Sequence, residues 1–266
     1  MDLATIIGLI LAWGAVLAAL AIEGGKPGEL FNVSAFVLVI GGTAGATIIS
    51  VSLEQIKAVP RVLRKALFAQ GTDMRAITRT VVGFAQKARK DGILALEPAC
   101  NRIENKFLKK GMQLVIDGTP SELVREVLET EVVAMQERHK AGETVFATAG
   151  GFAPTLGIIG TVMGLINMLA RLSDPGKMGP AIASAFIATL YGVALANLLF
   201  LPIGSKLKAK TTDEVVTYEM IIEGVLSIQA GETPRIVEMK MTAFLPPQLR
   251  DKTTGESHTR ELRKAA

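Results

Sequence analysis

TVFATAGGFAPTLGIIGTVMGLINMLA, residues Thr144–Ala170, runs for 27 positions without an aspartate, glutamate, lysine, arginine or histidine. About 20 residues of helix cross the ~30 Å of a bilayer's hydrocarbon, so this stretch spans it with length to spare. Three more runs share the character: Leu3–Ile22, Leu30–Leu53 and Met178–Ser205, of 20, 24 and 28 residues. A buried helix of a water-soluble protein is usually shorter and keeps polarity on one side. The chain of 266 residues is 49% hydrophobic yet 20% charged. Segregation of charge, more than its amount, sets the class: an all-α integral membrane protein with four transmembrane helices and a helical domain outside the membrane.

The basic residues orient it. Lys57 to Lys140 holds 16 of the 29 lysines and arginines and Lys206 to Lys264 holds 10, leaving Lys26, Arg171 and Lys177. By the positive-inside rule both basic segments are cytoplasmic, as are both termini, and the short connections face outward. The expected divisions are a transmembrane hairpin at 1–53, a cytoplasmic helical domain at 54–143, a second hairpin at 144–205, a cytoplasmic helical tail at 206–249 and a disordered end at 250–266. The expected location is the bacterial inner membrane, in contact with lipid. Asp2 and the absence of a basic residue before the first apolar run argue for a retained span over a cleaved leader. The net charge of +4 reflects the inside bias and calls for no nucleic-acid partner. Cys100, the single cysteine, excludes a disulfide framework and reads as a reduced thiol in a cytoplasmic helix. Trp13 reads as a packing residue within the first span.

Outside the spans, Ile56, Val59, Leu63 and Leu67 recur at helical spacing among Lys57, Arg61, Arg64 and Lys65, predicting an amphipathic helix near the inner headgroups. Helices are predicted over Asp73–Lys90 and Ile93–Lys110. The next starts at Thr119-Pro120-Ser121-Glu122, with Thr119 as cap and Glu122 completing a capping box, and continues through Arg138 into the third span. Another follows Ser205, and Thr233-Pro234 opens a short last one.

None of the four spans carries a carboxylate, lysine, arginine or histidine. Ion pathways through membranes ordinarily need one, so a conducting role requires a partner to supply the carboxylate, and a non-conducting role makes the chain a scaffold. Small residues repeat at helical spacing: Gly160 and Gly164 in the third span, Ala181, Ala185, Ala188, Gly192 and Ala196 in the fourth, Gly41 and Gly45 in the second. Such faces let backbones approach closely and predict self-association or a tightly held partner helix. Thr161 stands nine residues before Ala170 and Thr189 nine after Pro180. At ~1.5 Å per residue both lie about 14 Å below the outer surface. Each hydroxyl can bond its own helix carbonyl four residues back, or offer lone pairs to a partly dehydrated cation. Pro154 and Pro202 lie toward the inner ends of the third and fourth spans, as helix-shaping residues or as hinges.

The start at Met1-Asp2-Leu3-Ala4-Thr5-Ile6-Ile7-Gly8-Leu9, the loop from Ala88 to Glu97, the stretches Ala153–Leu165 and Thr189–Val193, and Glu223–Ile228 together resemble the MotA/PomA family of flagellar stator subunits. The likeness extends over nearly the whole chain to about Leu245. It implies a channel-forming stator subunit, not an enzyme, with no cofactor, no metal beyond a transient sodium ion, and Na+ or H+ as the transported species. The implied partners are a single-span MotB/PomB-type protein carrying the ion-binding aspartate, further copies of the chain in a pentameric ring, and the rotor protein FliG. Thr161 and Thr189 take the positions facing the partner's aspartate, Pro154 and Pro202 the coupling positions, and Arg89 and Glu97 the rotor-binding positions. Threonine at both span positions resembles the sodium-driven members, whereas Gly151 stands where sodium-driven PomA has an aspartate; sodium is the favoured ion. The alternative is an ExbB/TolQ-like energy-transducing subunit, a family with fewer spans. His139 and His258 are isolated in the sequence and form no catalytic set.

Overall fold

The computed structural model describes residues 3–68, 73–247 and Arg250. The described residues form helices and no strand. By backbone proximity the chain divides into two units, 1–70 with 138–210 and 71–137 with 211–266.

The first unit holds the apolar helices. α1 (Leu3–Ile22) is the first span. A 3-10 turn at Pro27–Leu30 leads to the second span, which is built of α2 (Val33–Phe36), a π turn at Val37–Gly41 and α3 (Gly42–Ser50). Asn32 caps it, its side-chain oxygen accepting from the Ala35 N–H at 3.0 Å. α4 (Leu53–Phe68) follows, started by a reciprocal capping box: Ser52 N–H donates to Gln55 Oε1 (3.0 Å) and Gln55 N–H to Ser52 Oγ (3.3 Å). Its Val59 and Val62 pack on Phe146, Ile203 and Leu207. The apolar stripe read as a headgroup-facing surface is thus partly occupied by the third and fourth spans.

α8 (Ser121–Leu169) is one helix of 49 residues with Pro154 inside it, and it includes the third span. The fourth span is α9 (Pro175–Leu195), a π turn at Ala196–Phe200 and the start of α10 (Leu201–Gln229). The sequence reading separated a helix after Ser205; the structure carries it on unbroken. The π turn has a physical cause in Pro202, which cannot donate to the carbonyl four residues back and whose ring crowds it. Widening the turn before it moves the bonding to Leu201 N–H and Ala196 O. Trp13 is exposed, and α1 has no buried residue, so its packing role is not met within one copy of the chain. All four spans have the length and apolarity to cross a membrane, which makes the chain a multi-pass membrane protein.

The second unit contains α5 (Met74–Asp91), α6 (Glu97–Cys100), α7 (Lys106–Ile116), α11 (Pro234–Ala243) and the parts of α8 and α10 belonging to it. Asp73 Oδ1 caps α5 through the Arg75 and Ala76 N–H groups (3.0 and 3.2 Å), and Gly92, at φ +86°, ends it. The single helix expected over Ile93–Lys110 is broken. A 3-10 turn at Ile93–Leu96 runs into the one-turn α6, and Asn105 then starts α7 by accepting from the Leu108 N–H at 2.9 Å. The capping box expected at Thr119 is also absent. α8 begins at Ser121, Glu122 takes the Ser121 hydroxyl at 3.1 Å, and the Thr119 carbonyl accepts from Gln229 Nε2 at 2.6 Å. Leu96, Leu108, Met112, Leu128, Met220, Ile221, Val225 and Met241 are fully buried in one core, with Phe107 stacked on Tyr218 at 4.1 Å between ring centroids. Cys100 is a free, buried thiol; burial pushes its pKa up, away from the thiolate that reacts. Of the end read as disordered, 250–266, Arg250 is held in place, its Nε donating to Leu245 O at 2.7 Å, and the rest lies outside the described residues.

Candidate ion site between the third and fourth spans

Two glycine-rich faces bring the third and fourth spans into backbone contact. A Cβ placed on Gly157 would lie 3.0 Å from Ala188 O, and one on Gly192 only 2.5 Å from Ala153 O. On Gly160 it would meet Ala188 Cβ at 2.5 Å, and on Gly164 Ala185 Cβ at 2.6 Å. The small-residue faces of these spans therefore pack on each other. In the second span the outcome differs: Gly41 and Gly45 have open space beside them, while Gly42 receives Leu156, whose Cδ1 would stand 2.5 Å from an added Cβ.

This approach joins the two threonines. Their hydroxyls are in direct contact. Thr161 Oγ1 also reaches Gly157 O and Ala185 O, each at 3.2 Å, and Thr189 Oγ1 reaches Gly157 O at 3.4 Å. Gly157 lies four residues before Thr161 and Ala185 four before Thr189, so each carbonyl is the ordinary back-bonding acceptor of one threonine. Here Gly157 O serves both threonines, while Ala185 O is reached across the helix pair by Thr161. The four oxygens are neutral and sit among apolar helices. They can share a partly dehydrated cation or hold a neighbouring carboxylate by hydrogen bonding. Alone they lack the charge to retain an ion in a low-dielectric place. Among the described residues no group of three or more His, Cys, Asp or Glu is placed to hold a metal.

The remaining sequence candidates fall elsewhere. Pro154 is half-buried inside α8, two turns from Thr161, and Pro202 is exposed just after the π turn. Arg89 lies in the last turn of α5 and Glu97 opens α6. Both are exposed, on either side of a turn whose Leu96 is buried and whose Leu94 is 75% exposed. His139 is half-buried, and His258 lies outside the described residues.

Reading the sequence overlooked several participants. Gly157 was within a quoted motif but carried no role, although its place four residues before Thr161 marks its carbonyl as an acceptor. Asn32, Ser184 and Tyr191 were missed as well. Asn32 Nδ2 donates to Ser184 Oγ at 2.9 Å and its N–H to the Tyr191 hydroxyl at 3.2 Å, while that hydroxyl donates to Leu30 O. An asparagine opening an apolar run was the available signal.

Residues 99–220 match the MotA/TolQ/ExbB proton channel family and residues 6–92 match the motility protein A N-terminal family. The chain is 38% identical to the motility protein A of Bacillus subtilis over 249 residues, 92% of each chain. It is 36% identical to the chemotaxis protein PomA of Vibrio alginolyticus, covering 92% of this chain and 96% of that one. Among solved structures, C. jejuni MotAB superposes with a TM-score of 0.89 at 35% identity, over 93% of this chain and 97% of that one. The flagellar MotAB stator complex from Bacillus subtilis gives 0.88 at 36%, over 93% and 98%. The four-span helical fold, the paired small-residue faces and these likenesses place the chain in the motility protein A (MotA/PomA) family of flagellar stator subunits, membrane channel proteins and not enzymes.

Proposed function

We propose that the chain couples cation flow, of sodium in preference to protons, to torque on the flagellar rotor. In this reading copies of the chain form a ring, a pentamer as the family resemblance implies, around two single-span helices of a MotB/PomB-type partner, each bearing an aspartate. The chain lies in the bacterial inner membrane with both termini cytoplasmic, and Arg89 and Glu97 engage the rotor protein FliG. Pro154 and Pro202 interrupt the backbone bonding of the two spans that carry the threonines and serve as the coupling points.

The observation that carries the reading is the meeting of Thr161, Thr189, Gly157 O and Ala185 O in spans without one carboxylate. Neutral oxygens suit a sodium ion that has shed part of its water, and a proton needs no such set; the charge must come from outside the chain. The resemblance to ExbB/TolQ-type transducers is real over residues 99–220, but residues 6–92 match a family named for motility, which favours the motor.

The test is rotation in a host lacking its own stators, with the chain and its partner supplied together, measured against sodium at fixed pH. Speed that climbs with sodium and collapses in Thr161→Ala is the expected result. Speed indifferent to sodium assigns protons to the channel and returns both threonines to helix packing.

A further inference from the structure

The hydroxyl pair depends on how the fourth span is rotated about its own axis, and the glycine faces do little to set that rotation. Ala185, Ala188 and Gly192 meet Gly157, Gly160 and Gly164, and none of these six carries a side chain longer than a methyl group. Such contacts fix the separation of two helices, and against turning they leave only the bonds of the threonine pair itself.

The other side of the fourth span is keyed. Ser184 and Tyr191 are seven residues apart, within about 20° of two whole turns, and so share a face. Asn32 straddles them, its side chain on Ser184 and its backbone N–H on Tyr191. The remaining groups of the knot are also satisfied: Tyr191 donates to Leu30 O, and Asn32 Oδ1 accepts from Ala35 N–H and from the Ser34 hydroxyl at 2.8 Å. Because helical side chains lean toward the N-terminus, the Tyr191 ring reaches back along α9 to the start of the second span. Thr189 lies five residues after Ser184, about 140° around the helix from the keyed face. The second span thus grips one side of the fourth, and Thr189 emerges on the side turned to the third.

We infer that Asn32, Ser184 and Tyr191 form a rotational lock that holds Thr189 against Thr161. They are positioning residues. A 20° turn of the fourth span would carry a side-chain tip ~5 Å from the axis through roughly 1.7 Å, enough to break both lock bonds and part the hydroxyls. The consequence for ion handling rests on the proposed role of the threonine pair; the lock itself does not.

Disulfide trapping separates the two. In the full chain with its partner, Thr161→Cys and Thr189→Cys in a Cys100→Ala background report the facing of the spans through their rate of oxidative cross-linking. Adding Tyr191→Phe, which removes one oxygen and keeps the ring, slows that rate about five-fold, as loss of an interhelical hydrogen bond implies. Asn32→Ala does at least as much, and the double variant no more than Asn32→Ala alone. If Tyr191→Phe fails to accumulate in membranes, Ser184→Ala takes its place with the same expectation. An unchanged rate, or slowing that multiplies in the double variant, overturns the lock. With the native threonines, Tyr191→Phe raises the driving-ion concentration for half-maximal speed several-fold and leaves the maximal speed near that of the parent. Slowed cross-linking with unchanged ion dependence overturns the lock's part in ion handling, and with it the ion-pathway reading of the threonines.

Discussion

Gly192 in the membrane-spanning unit and Gly224 in the other unit both stand where an added methyl group would strike a neighbour, but the neighbours differ. At Gly192 the obstacle is backbone, Ala153 O at 2.5 Å and Gly157 Cα at 3.0 Å; at Gly224 it is side chain, Met241 Sδ at 2.7 Å and Val81 Cγ1 at 2.8 Å. The difference follows from the solvent of each unit. Lipid is as apolar as leucine and gives helices no hydrophobic reason to associate, so the spans gain dispersion by bringing main chains together over glycine and alanine. In water, covering apolar area is favourable in itself, and the second unit fills its interior with leucine, methionine, valine and phenylalanine. One unit is held by closeness and a few polar ties, the other by buried volume.

The largest expected effect tests the first half of this contrast. Gly192→Ala forces the third and fourth spans apart, because a carbonyl oxygen on a helix cannot step aside. Rotation in a stator-less host should be abolished, while Gly41→Ala, facing open space, should leave it near the parent's. Motility of the Gly192 variant would show that the seam is softer than its distances imply.

Next in size is the core of the second unit. Leu128→Ala removes most of a fully buried side chain and should destabilise this unit by about 2–5 kcal/mol, seen as earlier loss of protease resistance on heating the purified complex. A change below about 1 kcal/mol would mean the core collapses around the gap. Gly224→Ala should be milder than either. Methionine is flexible enough to move aside and alanine is favoured in a helix over glycine by about 1 kcal/mol, but Val81 is β-branched and fully buried, so a cost of about 1 kcal/mol remains. The same substitution thus gives a severe outcome in one unit and a mild one in the other, which is the sharpest form of the comparison.

The smallest effect concerns charge. Lys240 Nζ lies 2.9 Å from Glu223 and 2.7 Å from Glu232. Hydrogen bonding to Glu232 and then Glu223 raises the Lys240 pKa, and hydrogen bonding to Lys240 lowers that of Glu232. The depressed carboxyl contributes stability that is present above its ordinary value near 4.5 and is lost as pH falls through the lower folded value. The raised lysine contributes below its ordinary value near 10.5 and loses that contribution as pH rises through the higher folded value. These groups are partly exposed, so Lys240→Met should cost no more than about 1 kcal/mol. The denaturation midpoints of parent and variant should converge at acid pH; a constant gap would assign the effect to packing.

The elements outside the membrane were the more legible in detail. Ile77, Val81, Phe84 and Ala85 form a buried stripe on a helix whose other faces are polar, and the starts read at Asp73 and Thr233 are where side-chain caps stand. The break at Asn105 was missed because Ile93 to Lys110 keeps a helical rhythm across it, and only the capping bond to Leu108 reveals a restart. The spans were legible in length and opaque in rotation. Gly41 and Gly45 looked as suited to packing as Gly160 and Gly164, yet within one copy of the chain it is Gly42 that meets a neighbour.

By itself the sequence determined four membrane-spanning helices, a water-exposed helical unit, spans without a charge of their own, and two threonines at one depth. Hydrocarbon forces each crossing segment to be long, apolar and helical, and those demands are written in composition and spacing. Tertiary structure decided that Thr161 and Thr189 touch, that they share Gly157 O, that Thr161 reaches Ala185 O across the helix pair, and that Asn32 holds Ser184 and Tyr191. A helix that is apolar all round carries no stripe to say which way it faces. Its rotation is settled by the fit of one backbone against another and by the few polar groups that must find partners where there is no water.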